Sequence, residues 1–234
     1  MPWIISEESA LDGHENMARD RALLRRAEES GVAAARLYEW DGPWVSLGRF
    51  QRPERDLLDP DLIPWTLRPT GGKAVLHGHD LTIALACPLE ALGCSRHAVR
   101  AAYRAIVRPL IAGLRSLGVD AVLAEETGSV SSLHRTADCF LHISPNDVVE
   151  RQSGRKLIGC ALRVTRAAVL AQCSVPVSEP LVDPGRVYEH PHTPKPLPVR
   201  AGALRSAIRE ALRRTEGLGP DVPLLAGDSR RDGS

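Results

Sequence analysis

Two stretches of the chain concentrate side chains that can hold an anion or attack a carbonyl. In the first, Arg68 to Asp80 (RPTGGKAVLHGHD), two adjacent glycines follow an extended run. With no Cβ in the way, Gly71 and Gly72 let backbone N–H groups approach a ligand, and the flanking Arg68 and Lys73 could meet a phosphate or carbonyl oxygen. A phosphate-binding P-loop is excluded: Gly72-Lys73 is followed by Ala74 rather than Ser or Thr, and the upstream glycine spacing differs. By residue type alone, a bare Gly-Gly is a β-turn between two strands. His77 and His79, two apart, would share one face of a strand. No third ligand stands at a recognisable spacing, so no metal is expected and the pair reads as structural.

The second stretch is Asp138 to Arg163 (DCFLHISPNDVVERQSGRKLIGCALR). Strand alternation predicts that Lys156, Ile158 and Cys160 share one face while Gly159 opens the backbone on the other. A lysine among apolar neighbours is costly unless it meets an anion or a polar ligand. The plainer reading is a rim lysine whose head reaches water. Cys139 opens an aromatic-containing run, where a cysteine by type is a core residue.

The elements that must position these residues follow from periodicity. An opening helix is predicted over Asn16 to Ser30, with Met17, Leu23, Leu24 and Ala27 inward and Gly31 just past its end. Short strands follow at Ala34–Trp40, Trp44–Gly48, Trp65–Thr70, Ala74–His77 and Leu81–Ala86. A second helix runs from Ser95 to Gly118, with Val99, Tyr103, Ile106, Leu110, Leu114 and Leu117 at helical spacing and a kink expected at Pro109. Asp147–Arg151, Lys156–Val164 and Ala168–Val175 read as a meander. A Pro-rich connector, Pro176 to Pro198, leads to a last helix bearing Leu204, Ile208 and Leu212. Strands outnumber helices without regular alternation, which predicts an α+β fold: a mixed or antiparallel sheet with packed helices, not a doubly wound nucleotide fold. One domain over 1–215 is expected, with a solvated tail over 216–234.

Composition narrows the function classes. The chain has 234 residues, 43% apolar and 25% charged, with a net charge of +1. That balance gives no case for a nucleic-acid or membrane-surface partner. Met1 to Ser9 lacks the basic and apolar regions of a secretory leader, and no apolar run nears the ~20 residues of a membrane helix. Five cysteines, at 87, 94, 139, 160 and 173, are an odd count without a C-x-x-C pair. A cytoplasmic protein with free thiols is the expectation.

Taken together, three segments in order resemble the lipoate–protein ligase and octanoyltransferase family, related to the biotin–protein ligases. Arg68–His77 resembles its arginine-plus-glycine acyl-binding loop. Asn146–Ala161, with Gly154-Arg155-Lys156 and then Gly159-Cys160-Ala161, resembles its lysine strand. Leu37–Gln51 (LYEWDGPWVSLGRFQ) resembles the segment that walls the acyl site. The resemblance covers roughly Asn16 to Pro176 and implies the fold of the biotin/lipoate ligase catalytic domain. The Cys139-Phe140 pair ahead of Lys156, and the basic residue after Gly71-Gly72, are similar to the ligase-like octanoyl-carrier-protein:protein octanoyltransferases. Cys160 departs from that pattern, standing where serine is more usual.

What the resemblance implies is an acyltransferase of protein lipoylation. Cys139 and Lys156 would be catalytic; Arg68, Thr70, Gly71, Gly72, Lys73, Ala74, His77, Gly159, Cys160 and Ala161 would bind substrate. An octanoyl or lipoyl group would pass from acyl carrier protein to a lysine of a lipoyl-domain or glycine-cleavage-type carrier protein, with no cofactor. Another branch of octanoyltransferases uses a later cysteine, which makes Cys173 the second candidate nucleophile. An ATP- and magnesium-dependent lipoate–protein ligase, an amidotransferase between carrier proteins, and a non-catalytic binding module are the alternatives.

Overall fold

The computed structural model describes residues 2–131 and 136–215. The expected tail over 216–234 therefore lies outside the described residues. The elements are β1 (Ile4–Glu7), α1 (Gly13–Ser30), β2 (Ala34–Tyr38), β3 (Trp44–Leu47), the single turn α2 (Pro53–Asp56), β4 (Trp65–Leu67), β5 (Val75–His77), β6 (Asp80–Pro88), α3 (Val99–Ser116), β7 (Ala121–Leu123), β8 (Val148–Glu150), β9 (Lys156–Val164), β10 (Ala168–Pro176) and α4 (Ala201–Arg214). A seven-stranded mixed sheet runs β1-β2-β6-β10-β9-β8-β7, and a three-stranded one runs β4-β3-β5. This is the α+β arrangement that the patterning predicts.

The long strands β6, β9 and β10 alternate residues between two covered faces. One face carries Leu37, Leu81, Ile83, Leu85, Val169, Ala171 and Cys173 against Ile106, Leu110 and Leu114 of α3 and Leu204, Ile208 and Leu212 of α4. The two helices approach closely at Gly113, where a Cβ would lie 2.7 Å from the Ile208 side chain. The other face carries Tyr38, Ala84, Ala86, Ala168 and Leu170 against Met17, Leu23, Leu24 and Ala27 of α1. Asp12 caps α1 by accepting from the Glu15 N–H at 2.9 Å, and Gly31 closes it with φ 64°, a left-handed turn that glycine adopts without strain. Helix α3 starts later than the pattern suggests, at Val99, and that valine is 48% exposed rather than inward.

The small sheet sits on the α1 side, with Thr70 beyond β4 bonded to Gln172 of β10. A gap between the small sheet and strands β2, β6, β10 and β9 of the large one is lined by residues of both. Among the described residues, no helix is long and apolar enough to cross a membrane.

Candidate active site

Strand β9 holds a feature that changes which side chains meet. Val148 pairs with Ile158, but the next residue of β8, Val149, pairs with Lys156, so two steps on β9 oppose one on β8. This is a β-bulge at Leu157, and a one-residue insertion reverses the alternation beyond it. Lys156 consequently leaves the face of Ile158 and Cys160 and joins that of Gly159 and Ala161. The expectation of a shared face for Lys156, Ile158 and Cys160 is corrected here; periodicity alone contains no mark of a bulge.

Cys139 is brought to this face by the segment before it. The Ala74 N–H donates to Ala137 O at 2.7 Å and the Cys139 N–H donates to Ala74 O at 2.9 Å, pinning residues 137–139 to the end of the glycine loop. Asp138, buried, accepts from the Phe140 N–H at 2.8 Å and the His192 N–H at 2.7 Å. The Phe140 ring and the Cys139 sulfur then cover Gly159, where a Cβ would lie 3.3 Å from each. Glycine here makes room for the thiol.

Lys156 is 7% exposed, not a rim residue. Its ammonium donates to Cys139 O at 2.9 Å, His142 O at 3.0 Å and Asp147 Oδ2 at 2.9 Å, and stands 3.6 Å from Cys139 Sγ. Three donors are thus matched by three oxygens, and the positive charge lies against the sulfur. Asp147, buried and also accepting from the Ser144 N–H at 2.7 Å, fixes the ammonium from behind. The sequence reading passed over Asp147, because nothing in a lone aspartate before a strand announces its partner nine residues on.

Burial pushes the Cys139 thiol above its ordinary value, although the Lys156 and Arg68 charges pull the other way. Burial also works against the Lys156 charge, but Cys139 and Asp147 outweigh it and hold the ammonium protonated above its usual range. The resting pair is thiol and ammonium.

A pocket enclosing about 330 Å³, its open mouth included, leads from Cys139, lined among others by Met17, Tyr38, Trp40, Val75, Gly159 and Ala161. Of the residues expected from sequence, Arg68, His77, Cys139, Gly159, Cys160 and Ala161 line it; Thr70, Gly71, Gly72, Lys73 and Ala74 form the adjoining loop.

Arg68 faces the pocket, yet its guanidinium is taken up by the protein. It donates to Thr70 Oγ1 at 3.1 Å, Ser46 O at 2.7 Å, Gly71 O at 2.7 Å and Lys73 O at 2.6 Å. The bonds to Thr70, Gly71 and Lys73 bend the loop around the arginine, so Arg68 shapes the loop beside the pocket. Gly72, with φ 83°, makes the turn possible. A second closely packed glycine, Gly48, lies under it: a Cβ there would come within 2.0 Å of Gly72 O.

His77 does not pair with His79. Its ring bonds Ser46 Oγ at 2.8 Å and Asp80 at 2.9 Å and stacks on Trp40 with centroids 4.0 Å apart. His79 lies beyond β5 in the turn, buried with neither ring nitrogen bonded. Among the described residues no cluster of His, Cys, Asp and Glu could hold a metal. Burial opposes the Asp80 charge, but the His77 ring and hydroxyl donors outweigh it and bring Asp80 down to about 2.

Cys173, the second candidate nucleophile, is fully buried on the helix-covered face, 2.8 Å from the sulfur of its strand partner Cys160. Burial raises its pKa well above the ordinary thiol value. Cys87 is also in the core, and burial pushes it up to about 12.

Comparison with known proteins gives a consistent picture. A model of the lipoyl protein ligase A/B catalytic domain matches residues 12–214. Octanoyltransferase LipM of Carboxydothermus hydrogenoformans is 33% identical over 177 residues, 73% of this chain and 62% of that protein. The chain thus spans less than two thirds of the length of that relative. In fold, a putative lipoate protein ligase from T. acidophilum with bound lipoic acid superposes with a TM-score of 0.70 at 20% identity, over 90% of this chain and 84% of the other. A bi-partite lipoate protein ligase from Thermoplasma acidophilum, described with its E2 lipoyl domain, superposes with a TM-score of 0.68 at 19% identity, over 90% and 82%.

Proposed function

We propose, given that this chain belongs to the lipoyl protein ligase A/B catalytic domain family, that it is an octanoyltransferase of protein lipoylation working through a cysteine thioester. The observation that carries the reading is the Lys156 ammonium 3.6 Å from the sulfur of Cys139, which lines the pocket. The named relative supports the transferred group, since it is an octanoyltransferase. The donor would be an octanoyl thioester of acyl carrier protein. The acceptor would be a lysine of a lipoyl-domain or glycine-cleavage-type carrier protein, a class supported by the E2 lipoyl domain described with the archaeal ligase.

In the first step the Cys139 thiolate attacks the acyl carbonyl, a new C–S bond forms, and the carrier thiolate leaves and takes up the proton. One thioester replaces another, so little free energy is spent. In the second step the acceptor amine attacks the Cys139 thioester, the amide forms, and the Cys139 thiolate is released as the amine gives up its proton. The covalent cysteine divides one transfer into two. Lys156 favours the thiolate at both ends of the cycle. The Gly71 and Gly72 N–H groups, on the loop that bends around Arg68, would donate to a developing oxyanion. No step calls for ATP or magnesium, which are accordingly proposed to be dispensable. Arg68, Thr70, Lys73 and Ala74 would serve by building the loop, and His77, Gly159 and Ala161 by walling the acyl chain.

The test is incubation with octanoyl-acyl carrier protein, without ATP, followed by mass spectrometry. A hydroxylamine-labile octanoyl adduct on the Cys139 peptide, passed on to an added lipoyl-domain protein, is the expected result. Lipoylation from free lipoate and ATP, lost in Lys156→Ala but kept in Cys139→Ala, would replace the transferase reading with that of a ligase.

A further inference from the structure

The floor of the pocket is a single row of register partners. Gly159 on β9 faces Ser174 on β10, Ser174 faces Thr82 on β6, and Thr82 faces Tyr38 on β2. All four line the pocket, and Cys139 sits over the first of them. The row crosses three strand spacings of about 4.8 Å, so it runs roughly 14 Å from beneath the thiol to the Tyr38 ring. That is about the reach of an extended eight-carbon acyl thioester with its terminal methyl in contact.

The row has walls and an end. On one side Gln172 donates to the Met17 sulfur at 3.3 Å, and on the other Trp40 donates to Thr82 Oγ1 at 2.9 Å and stacks on His77. The two hydroxyls along the floor are already engaged, Ser174 Oγ donating to Asp80 Oδ2 at 2.7 Å and Thr82 Oγ1 to the same oxygen at 2.9 Å. They solicit no polar ligand. The Tyr38 ring is fully buried and cannot swing aside: its hydroxyl donates to Asp20 Oδ2 at 2.8 Å, and the Arg36 guanidinium lies 4.4 Å from its ring centre. Asp20 is itself held by Arg36 and by Gln172 at 2.6 Å.

We propose that this row is a chain-length ruler with Tyr38 as its end-stop, admitting saturated acyl chains up to about eight carbons and rejecting longer ones. The inference rests on the acyl-transfer reading of the pocket and adds the residue that fixes its specificity. A wall is needed because hydrophobicity discriminates in the wrong direction: each added methylene strengthens binding about fourfold. A sharp loss beyond eight carbons can only come from steric closure.

Calorimetric titration of hexanoate, octanoate, decanoate and dodecanoate into the wild-type chain, Tyr38→Leu and Thr82→Leu tests the ruler. Expected are a wild-type optimum at octanoate with decanoate at least tenfold weaker, an optimum moved to decanoate or longer in Tyr38→Leu, and hexanoate kept but octanoate weakened at least tenfold in Thr82→Leu. The two variants act at different depths with opposite sign, so either one that retains its melting transition decides the matter. Wild-type affinity that climbs steadily to dodecanoate, or a cut-off unmoved in a folded variant, overturns the ruler alone. Absence of binding at every length removes the acyl-transfer reading, and the ruler with it.

Discussion

At the scale of single residues, the site is a half-buried thiol beside a buried ammonium that pairs with a buried carboxylate, and each has its own test. Cys139→Ala should abolish both adduct and transfer, whereas Cys173→Ala and Cys160→Ser should keep most activity, because those two sulfurs hydrogen-bond each other while the Lys156 ammonium stands against Cys139. An adduct that survives in Cys139→Ala and vanishes in Cys173→Ala would reassign the nucleophile. Lys156→Ala should slow transfer at least ~100-fold, the usual effect of losing a charge-stabilising donor, and Lys156→Arg should not restore it, since a planar fork cannot match three convergent oxygens. Because burial raises the Cys139 pKa, the thiolate is scarce at neutral pH and grows as pH rises. Alkylation of Cys139 by iodoacetamide should therefore accelerate with pH and not level off below pH ~9, the ordinary thiol range. Asp147→Asn, which leaves Lys156 uncompensated, should change that profile as well as the rate; a plateau near pH 7 in the wild type would contradict the assignment. Cys139, Lys156 and Arg68 entered the sequence reading through the family resemblance; by residue type alone Cys139 read as core and Lys156 as a rim lysine. Asp147 did not enter it, since its meaning lies in a contact that only the folded segment makes.

At the scale of elements, the sequence displays the strands and helices but not how they are offset. Gly31 and the apolar stripes of α1 and α4 place those helices to within a turn. The bulge at Leu157 leaves no trace in the alternation, yet it alone turns Lys156 toward Cys139. The three strands of the small sheet were expected at Trp44–Gly48, Trp65–Thr70 and Ala74–His77, but not that they pair apart from the large sheet, since their partners lie across the glycine loop. That loop depends on close backbone approach. Gly48→Ala would drive a Cβ into Gly72 O, a backbone atom that cannot move without the loop and the Arg68 bonds moving with it. The expected outcome is a melting temperature several degrees lower and transfer reduced at least tenfold. Gly42→Ala, where a Cβ meets nothing within 4 Å, is the control and should behave as wild type in both measurements.

At the scale of the whole molecule, one polar chain ties the first strand to the site. Glu8, just past β1, accepts from Arg36 at 2.7 Å; Arg36 pairs with Asp20; Asp20 accepts from Gln172; Gln172 accepts from Thr70 at 2.7 Å; and Thr70 accepts from Arg68, around which the glycine loop bends. Such a network is stable only while every member is satisfied, so its outermost carboxylate is a point where pH can enter. Bonding to Arg36 brings Glu8 down to about 2 from its ordinary value of 4.5, against the opposing effect of burial. A carboxylate whose folded pKa is depressed stabilises the fold fully above its unfolded value and loses that contribution as pH falls through the folded one. For Glu8 the window therefore opens below pH ~4.5 and closes near pH ~2, the interval set by those two values. Glu8→Gln should lower stability at pH 7 by about 1–2 kcal/mol, discounted for solvent screening of a partly exposed pair. Its deficit should shrink as pH is lowered through that window and vanish at the acid end. Urea titrations of both proteins at pH 7, 4 and 2.5 measure this difference directly. A deficit that stays constant with pH would mean that Glu8 acts by packing rather than charge, and the chain from β1 to the glycine loop would lose its electrostatic first link.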